Sequence, residues 1–190
     1  MTTLDAIRDS LPDYARDLKL NLGSVLQPSG APGLSEKQIW GVAVASAIAS
    51  RNVGFAKQIE ALAAATLDDA YLTASRAAAA IMGMNNIYYR FLHLVEDPEY
   101  AQLPARLRMN VIGNPGIDKV DFELLSLAVS AVNGCGMCIV AHEKQLRKHD
   151  VSREAVQSAV RIAATIHAVA GVLEHSAGAA GELPATAAAA

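Results

Sequence analysis

The chain has 190 residues, a length that suits one large domain or two small halves sharing one core. Hydrophobic residues make up 52% of it, charged residues 18% and aromatic residues 5%. This alanine-rich composition favours closely packed helices over strands. The net charge of −3 gives no indication of a nucleic-acid-binding surface.

The N-terminal segment was compared with the pattern of a secretory signal, which directs proteins out of the cytoplasm. Residues 1–10 lack a basic stretch followed by an apolar run, so they do not resemble a secretory signal. We therefore expect a cytoplasmic protein. The longest apolar stretch, residues 41–50, is about half of the ~20 residues needed to cross a bilayer, which indicates a core helix and no membrane association.

The first half of the chain predicts a series of helices. Apolar residues from Leu4 onward recur at helical spacing, and Pro12 is placed to begin a second helix after a short first one. Residues 27–33 form a loop by composition. Ser35 and Gln38 then match the capping-box pattern that begins a helix. The helices from this point are predicted over residues 35–50, 54–66 and 68–95.

The second half begins with an irregular connector. Proline and glycine interrupt the pattern over residues 96–118, which leaves room for one helical turn. A helix that is apolar on most sides follows, and Asn133-Gly134 can end it because glycine adopts the left-handed conformation of helix C-termini. The next helix is predicted from Cys135 to about His149, and the last one begins near residue 150.

These elements predict an all-helical fold. We expect a single compact domain over residues 1–178 and a disordered tail over residues 179–190. The segment around Gly83 also resembles the segment around Gly134, at an offset of 51 residues, so the domain can be interpreted as two repeated helical halves. Chance similarity between alanine-rich helices is the alternative.

The two cysteines of the chain stand together in the motif Cys135-Gly136-Met137-Cys138. This spacing places both thiols on one face of a helical turn, close enough to form a disulfide. A disulfide that closes so small a loop stabilises little. In the cytosol, a lone pair at this spacing is more often catalytic or metal-binding than structural. We therefore predict a redox-active dithiol.

Two neighbouring residues can activate the thiols. A free cysteine, with a pKa of ~8.5, is mostly protonated at neutral pH. His142 follows Cys138 by four residues and can accept its proton, and Glu123 could orient the imidazole if the two helices pack antiparallel. The helix dipole favours Cys135 as the thiolate whereas the imidazole favours Cys138, so this reasoning leaves the attacking sulfur open.

Other interpretations use the same residues. Cys135, Cys138, His142 and His149 could supply four zinc ligands, although structural zinc sites usually take their second pair from a separate element. The site would then belong to a helical metal-binding or interaction module. A thioredoxin fold also uses Cys-x-x-Cys, but it requires an alternation of strands and helices that this sequence lacks.

The segment 122–143, which holds Glu123, the Cys-x-x-Cys motif and His142, resembles the alkyl hydroperoxidase AhpD family of the carboxymuconolactone decarboxylase-like proteins. Residues 11–21, 80–90 and 107–116 carry the same resemblance. It therefore extends over nearly the whole chain apart from the tail.

This resemblance implies an all-helical homotrimer with peroxidase and disulfide-reductase activity toward organic hydroperoxides. It implies no tightly bound cofactor: dihydrolipoamide, the lipoyl group of a partner protein, is the reductant. The implied partners are the peroxiredoxin AhpC, a lipoylated acyltransferase and dihydrolipoamide dehydrogenase, which passes on electrons from NADH.

The resemblance also implies residue roles. Cys138 would attack the peroxide and become the sulfenic acid, Cys135 would resolve it to the intramolecular disulfide, and Glu123 with His142 would relay protons. Met137 departs from the family pattern, which often has histidine there, so any proton-transfer role of that histidine is absent. A lactone decarboxylase of the related family, which needs no redox sulfur, is the alternative reaction.

Overall fold

The computed structural model describes residues 3–180, and within that range the chain forms helices and no strands. The predicted all-helical class is therefore confirmed. The elements are α1 Leu4–Asp9, a 3₁₀ helix Asp13–Ala15, α2 Arg16–Val25, α3 Glu36–Ala49, α4 Val53–Ala63, α5 Asp69–Leu94, α6 Glu99–Gln102, α7 Asn110–Gly113, α8 Lys119–Val132, α9 Gly136–Lys148 and α10 Arg153–Ala180.

Side-chain caps begin several of these helices. The Ser35 side chain accepts a hydrogen bond from the Gln38 amide, and the Gln38 side chain accepts one from the Ser35 amide, so the predicted capping box is confirmed. At the start of α5, the hydrogen bond that Asp68 accepts from a backbone amide lowers the pKa of its carboxyl group. Because these caps depend on residues three positions apart, they define helix starts locally.

Four helices form the centre of the molecule. α3 and α8 pack against each other and against both α5 and α10. Gly41 lets α3 approach α5 closely, because a Cβ at this position would overlap the ring of Tyr71. α8 is buried on most sides, as its sequence predicts, with Phe122 and Leu125 among the core residues. One side of the candidate site is therefore formed by α8, a buried helix at the centre of the molecule.

The connector between α5 and α8 is more structured than expected. It contains two short helices, α6 and α7, where the sequence indicated room for one helical turn. Neither of them has a fully buried residue. Short helices without a buried face give a weak apolar pattern, which explains why the sequence showed only the breaks.

The two segments that the repeat interpretation aligns, around Gly83 and around Gly134, differ in their local structure. Gly83 lies inside the unbroken helix α5, whereas Gly134 follows the end of α8 with a φ of 67°. The turn at Gly134 therefore has no counterpart at Gly83. In the expected tail, residues 179 and 180 belong to α10, and residues 181–190 lie outside the described residues.

α10 is the one helix of residues 3–180 that is long and apolar enough to cross a membrane, over Arg153–Ser176. Its residues Ile162, Ile166 and Val169 are buried in the core, and the helix packs against α3 and α8. The core helix of a globular protein has the same composition. These contacts make α10 such a core helix.

Candidate active site

The turn between α8 and α9 determines the position of the first cysteine. The Gly134 amide donates to the Ala131 carbonyl at 3.2 Å, and the Cys135 amide donates to the Ser130 carbonyl at 3.1 Å. These two bonds form the Schellman motif that ends α8. Cys135 is also the N-cap of α9, where its Sγ accepts a hydrogen bond from the Cys138 amide at 3.4 Å. Both helices therefore hold Cys135 in place.

The two sulfurs are joined as a disulfide, with the Cα atoms 5.3 Å apart. Their surroundings differ. Cys135 is fully buried, whereas Cys138 is 6% exposed and lines a cavity. A molecule that enters this cavity can therefore reach Cys138, while Cys135 lies behind it.

Glu123 and His142 form a pair between α8 and α9. The Glu123 Oε2 atom lies 2.6 Å from the His142 Nδ1 atom, and the side chains are 19% and 13% exposed, respectively. The packing of α8 against α9 brings about this contact. With Nδ1–H donating to the carboxylate, Nε2 is the ring nitrogen that remains able to accept a proton.

The cavity beside Cys138 has a volume of about 260 Å³. Cys138 and His142 stand together in its lining, and most of the other lining residues are apolar. These others come from α5, α9 and the segment around α7: Met82, Asn85, Tyr89, Met109, Ile112, Met137 and Ala141. Such a lining suits a ligand that carries an apolar group next to Cys138.

Sequence reasoning about the motif missed the walls of this cavity. The lining residues of α5 and α7 lie within segments 80–90 and 107–116, so the signal that pointed to them was the family resemblance of those segments. Met137, where the family often has histidine, lines the cavity with 40% of its surface exposed. It therefore contributes an apolar wall and no proton-carrying group.

A network of polar side chains supports the turn from the α5 side. Asn86 donates from Nδ2 to the Ser130 hydroxyl, and its Oδ1 accepts from Asn133 Nδ2, both at 2.9 Å. Arg90 donates to the Asn133 carbonyl at 2.7 Å. This network connects α5 to the end of α8, two residues before Cys135. No motif in the sequence indicated it.

The zinc interpretation is not supported. His149 is eleven residues after Cys138, which corresponds to ~16 Å along a helix that rises 1.5 Å per residue. Throughout residues 3–180, no group of three or more His, Cys, Asp or Glu side chains is arranged to hold a metal ion. The two sulfurs are instead bonded to each other.

Comparisons with known proteins agree with the resemblance seen in the sequence. The chain is 57% identical to the alkyl hydroperoxide reductase AhpD of Rhodospirillum centenum over 188 residues, which are 99% of this chain and 100% of that protein. It is 57% identical to the AhpD of Gluconacetobacter diazotrophicus over 175 residues, 92% of this chain and 94% of the relative.

A third relative and a family model also match this chain. The AhpD of Maricaulis maris is 54% identical over 171 residues, 90% of this chain and 97% of that protein. The model of the carboxymuconolactone decarboxylase family matches residues 98–182. The matched range includes the turn, both cysteines and the Glu123–His142 pair.

Proposed function

Because the chain belongs to the AhpD family of alkyl hydroperoxide reductases, we propose that it reduces peroxides through a pair, Cys135 and Cys138, that cycles between dithiol and disulfide. The main support for this proposal is the arrangement of Cys138, His142 and Glu123 around the cavity. Cys138, one half of a disulfide, lines an apolar cavity together with His142, whose ring is held by Glu123.

Cys138 is the sulfur that attacks. Its place in the cavity lining supports this choice, since Cys135 is fully buried. His142 takes the thiol proton, and the Glu123 carboxylate stabilises the resulting imidazolium. The Cys138 thiolate then attacks the terminal oxygen of a hydroperoxide, the O–O bond breaks, and the departing alkoxide takes the proton from His142. Cys138 becomes a sulfenic acid.

Cys135 resolves this sulfenic acid. The Cys135 thiol gives up its proton, its thiolate attacks the Cys138 sulfur, and the S–O bond breaks. The departing hydroxide takes up that proton, so the disulfide forms and water leaves. The N-cap position supports this role, because the Cys138 amide and the start of α9 favour negative charge on the Cys135 sulfur. The same position makes Cys135 the better leaving group when a reductant thiol attacks the disulfide at Cys138.

The reductant in this proposal is dihydrolipoamide, carried as the lipoyl group of a partner protein. The apolar cavity next to Cys138 supports it, because a lipoyl group has a hydrocarbon chain behind its sulfurs. From the family resemblance, we further propose a cytoplasmic homotrimer that works with the peroxiredoxin AhpC. Its electrons come from NADH through dihydrolipoamide dehydrogenase and a lipoylated acyltransferase.

A lactone decarboxylase reaction is the alternative within the wider family. It would need no redox sulfur, and a disulfide in the lining of the cavity favours redox chemistry over it. Turnover of a muconolactone by the purified protein, retained in a variant lacking both cysteines, would establish the lyase in its place.

The direct test is peroxide consumption by the purified protein. We expect turnover that requires dihydrolipoamide and that falls to background in Cys135→Ser and in Cys138→Ser, because each variant removes one half of the dithiol. Turnover that is unchanged in either variant would contradict the dithiol mechanism.

Mass spectrometry after brief peroxide treatment identifies the attacking sulfur. Cys135→Ser should accumulate sulfenic acid on Cys138, since the resolving thiol is absent. Stable sulfenic acid on Cys135 in the Cys138→Ser protein, with none on Cys138 in Cys135→Ser, would reverse the assignment.

A further inference from the structure

A second cavity lies on a different face of α5 from the cavity beside Cys138. It has a volume of about 300 Å³, and its lining comes from the end of α3, from α5, from the end of α8 and from α10. Three of the lining residues can carry positive charge, namely Arg51, Arg90 and His167, and we call it the arginine cavity. No Asp or Glu of residues 3–180 belongs to this lining.

The protein does not pair these three residues with carboxylates of its own. None of them takes part in an ion pair within residues 3–180. Glu60, which lines an adjoining cavity together with Arg51, instead accepts a hydrogen bond from Arg76 at 2.7 Å. The chain as a whole has a net charge of −3, so the arginine cavity concentrates positive charge locally. Concave sites lined by charge of one sign attract ions of the opposite sign.

Arg90 is fixed in place and keeps donors for a ligand. Its Nη1 atom donates to the Asn133 carbonyl at 2.7 Å, and the side chain is partly buried. This is the one side-chain hydrogen bond of Arg90 within residues 3–180, whereas a guanidinium group carries five N–H donors in a planar fork. The remaining donors suit the oxygens of a carboxylate or phosphate group, which arginine binds through two parallel hydrogen bonds.

Arg51 lines the cavity from a strained backbone position. Its φ is 66°, in the left-handed region that glycine enters freely and other residues enter at a cost in stability. Residues held in such conformations are concentrated at functional sites, where the side chain is needed in spite of the strain. The position of Arg51 in the lining therefore indicates a role for its guanidinium group that glycine could not fill.

We propose that the arginine cavity binds a small molecule through an oxyanion group, a phosphate or a carboxylate, which pairs with Arg51 and Arg90. His167, whose Nδ1 atom lies 3.2 Å from the Ser50 hydroxyl oxygen, is the third group of the lining that can carry positive charge. A volume of about 300 Å³ leaves room for more than the oxyanion itself. The proposal does not depend on peroxide reduction, because neither cysteine lines this cavity.

Isothermal titration calorimetry tests the proposal with two probes, inorganic phosphate and succinate. Sodium chloride keeps the ionic strength of all samples equal, so that screening of charge is the same in each. We expect saturable binding of at least one probe to the wild type, with one site per protomer. The probe that binds more tightly identifies the oxyanion as a phosphate or a carboxylate.

Arg51→Gln should weaken this binding by about tenfold or more, the effect of lost hydrogen bonds to a charged group. Arg153→Gln is the matched control, because it removes the same charge from an exposed arginine in the first turn of α10. Arg153 precedes His167 by fourteen residues in that helix, which corresponds to ~21 Å. Its variant should keep the wild-type affinity within about twofold.

Arg51→Gly separates binding from folding. It should lose affinity as Arg51→Gln does, because the guanidinium group is absent. The unfolding temperature of the protein without added anion should be unchanged or higher than that of the wild type, since glycine adopts the observed φ without strain.

Nuclear magnetic resonance locates the bound anion. The side-chain amide signals of Asn86 and Asn133, which both line the arginine cavity, should shift as the bound fraction rises. The side-chain amide signal of Asn85, which lines the cavity beside Cys138, should stay in place.

Three results would overturn the assignment. The first is that neither probe binds saturably to the wild type. The second is an equal loss of affinity in Arg51→Gln and Arg153→Gln, which would indicate a general effect of charge. The third is a shift of the Asn85 signal without shifts of Asn86 and Asn133, which would place the anion beside Cys138 instead.

Discussion

Cys135 and Cys138 are identical side chains three residues apart, and their surroundings make them chemically different. Cys135 is fully buried at the N-cap of α9, where its sulfur accepts an amide hydrogen bond. Cys138 lines the cavity together with His142. In the proposed mechanism the helix dipole therefore acts on Cys135 and the imidazole on Cys138, and the place of Cys138 in the cavity lining favours it as the first to react.

The proposed role of the Glu123–His142 pair can be tested by changing one residue, Glu123. Glu123→Gln keeps the shape of the side chain and an acceptor for the His142 Nδ1–H group, but it removes the charge that stabilises the imidazolium. We expect kcat for peroxide reduction to fall by about 10²-fold, the typical lower contribution of a proton-transfer group. The unfolding temperature should change little. Steady-state kinetics and thermal unfolding measure the two quantities.

Glu143→Gln is the control for this change. Glu143 follows His142 directly but lies outside the ion pair, so removal of the same charge there should leave kcat within about twofold of wild type, as is usual for a surface charge. Equal activity of wild type and Glu123→Gln would remove Glu123 from the proton relay.

At the scale of elements, one glycine joins α8 to α9. Gly134 has a φ of 67°, a left-handed conformation that glycine adopts without strain. Its Schellman bonds end α8 and bring Cys135 to the N-cap of α9 within a single turn. The relative placement of the ion pair and the dithiol depends on this turn, because Glu123 and Cys138 lie on opposite sides of it.

Gly134→Ala should therefore destabilise the protein. A Cβ at this position would meet no atom within 4 Å, so the cost is the left-handed backbone alone, about 1 kcal/mol in the free energy of unfolding. Urea unfolding of the oxidised protein measures it.

Gly136→Ala is the matched control in the same turn. A Cβ there also meets no atom within 4 Å, but residue 136 is the first residue of α9 and its backbone is helical. Alanine should be neutral there or stabilise by up to about 1 kcal/mol, because it favours helix and restricts the unfolded chain. Equal destabilisation by both alanines would show that the turn tolerates no side chain and that φ is not the cause.

At the scale of the whole molecule, large apolar side chains remain exposed near the end of α5 and in the connector that follows. Five of them, each more than 40% exposed, form what we call the α5 patch: Ile87, Phe91, Leu94, Tyr100 and Leu103. The Phe91 and Tyr100 rings contact each other edge to face, with centroids 5.2 Å apart. A concentration of apolar surface of this kind is typical of a subunit interface.

Leu94→Asp tests the patch as the interface of the proposed homotrimer. Light scattering should give the mass of three protomers for the wild type and of fewer for the variant, because a charge in an apolar contact is costly to bury. Leu20→Asp, at an exposed leucine of α2 outside the patch, is the control and should keep the wild-type mass. A variant Leu94→Asp that still forms trimers would place the interface elsewhere.

The local features of this protein follow from short stretches of its sequence. The capping box at Ser35, the end of α8 at Gly134 and the proximity of two cysteines at Cys-x-x-Cys spacing each depend on a few consecutive residues. Backbone geometry and side-chain caps act over that range, so their outcome could be predicted without knowledge of the rest of the chain. The family resemblance added the expected roles of residues, and the bonded sulfurs and the distant His149 leave the zinc alternative without support.

The packing of the helices, in contrast, establishes which cysteine borders the cavity and brings Glu123 to His142. It also makes α5 and the segment around α7 the walls of the cavity. Burial depends on elements that are far apart in the chain, and Asn85 and Asn86 show the consequence. Asn86 bonds through its amide to Ser130 and Asn133, whereas Asn85 lies in the cavity lining and its Oδ1 atom is buried without a hydrogen-bond partner. No local pattern distinguishes them, because the difference lies in what packs against each face of the helix.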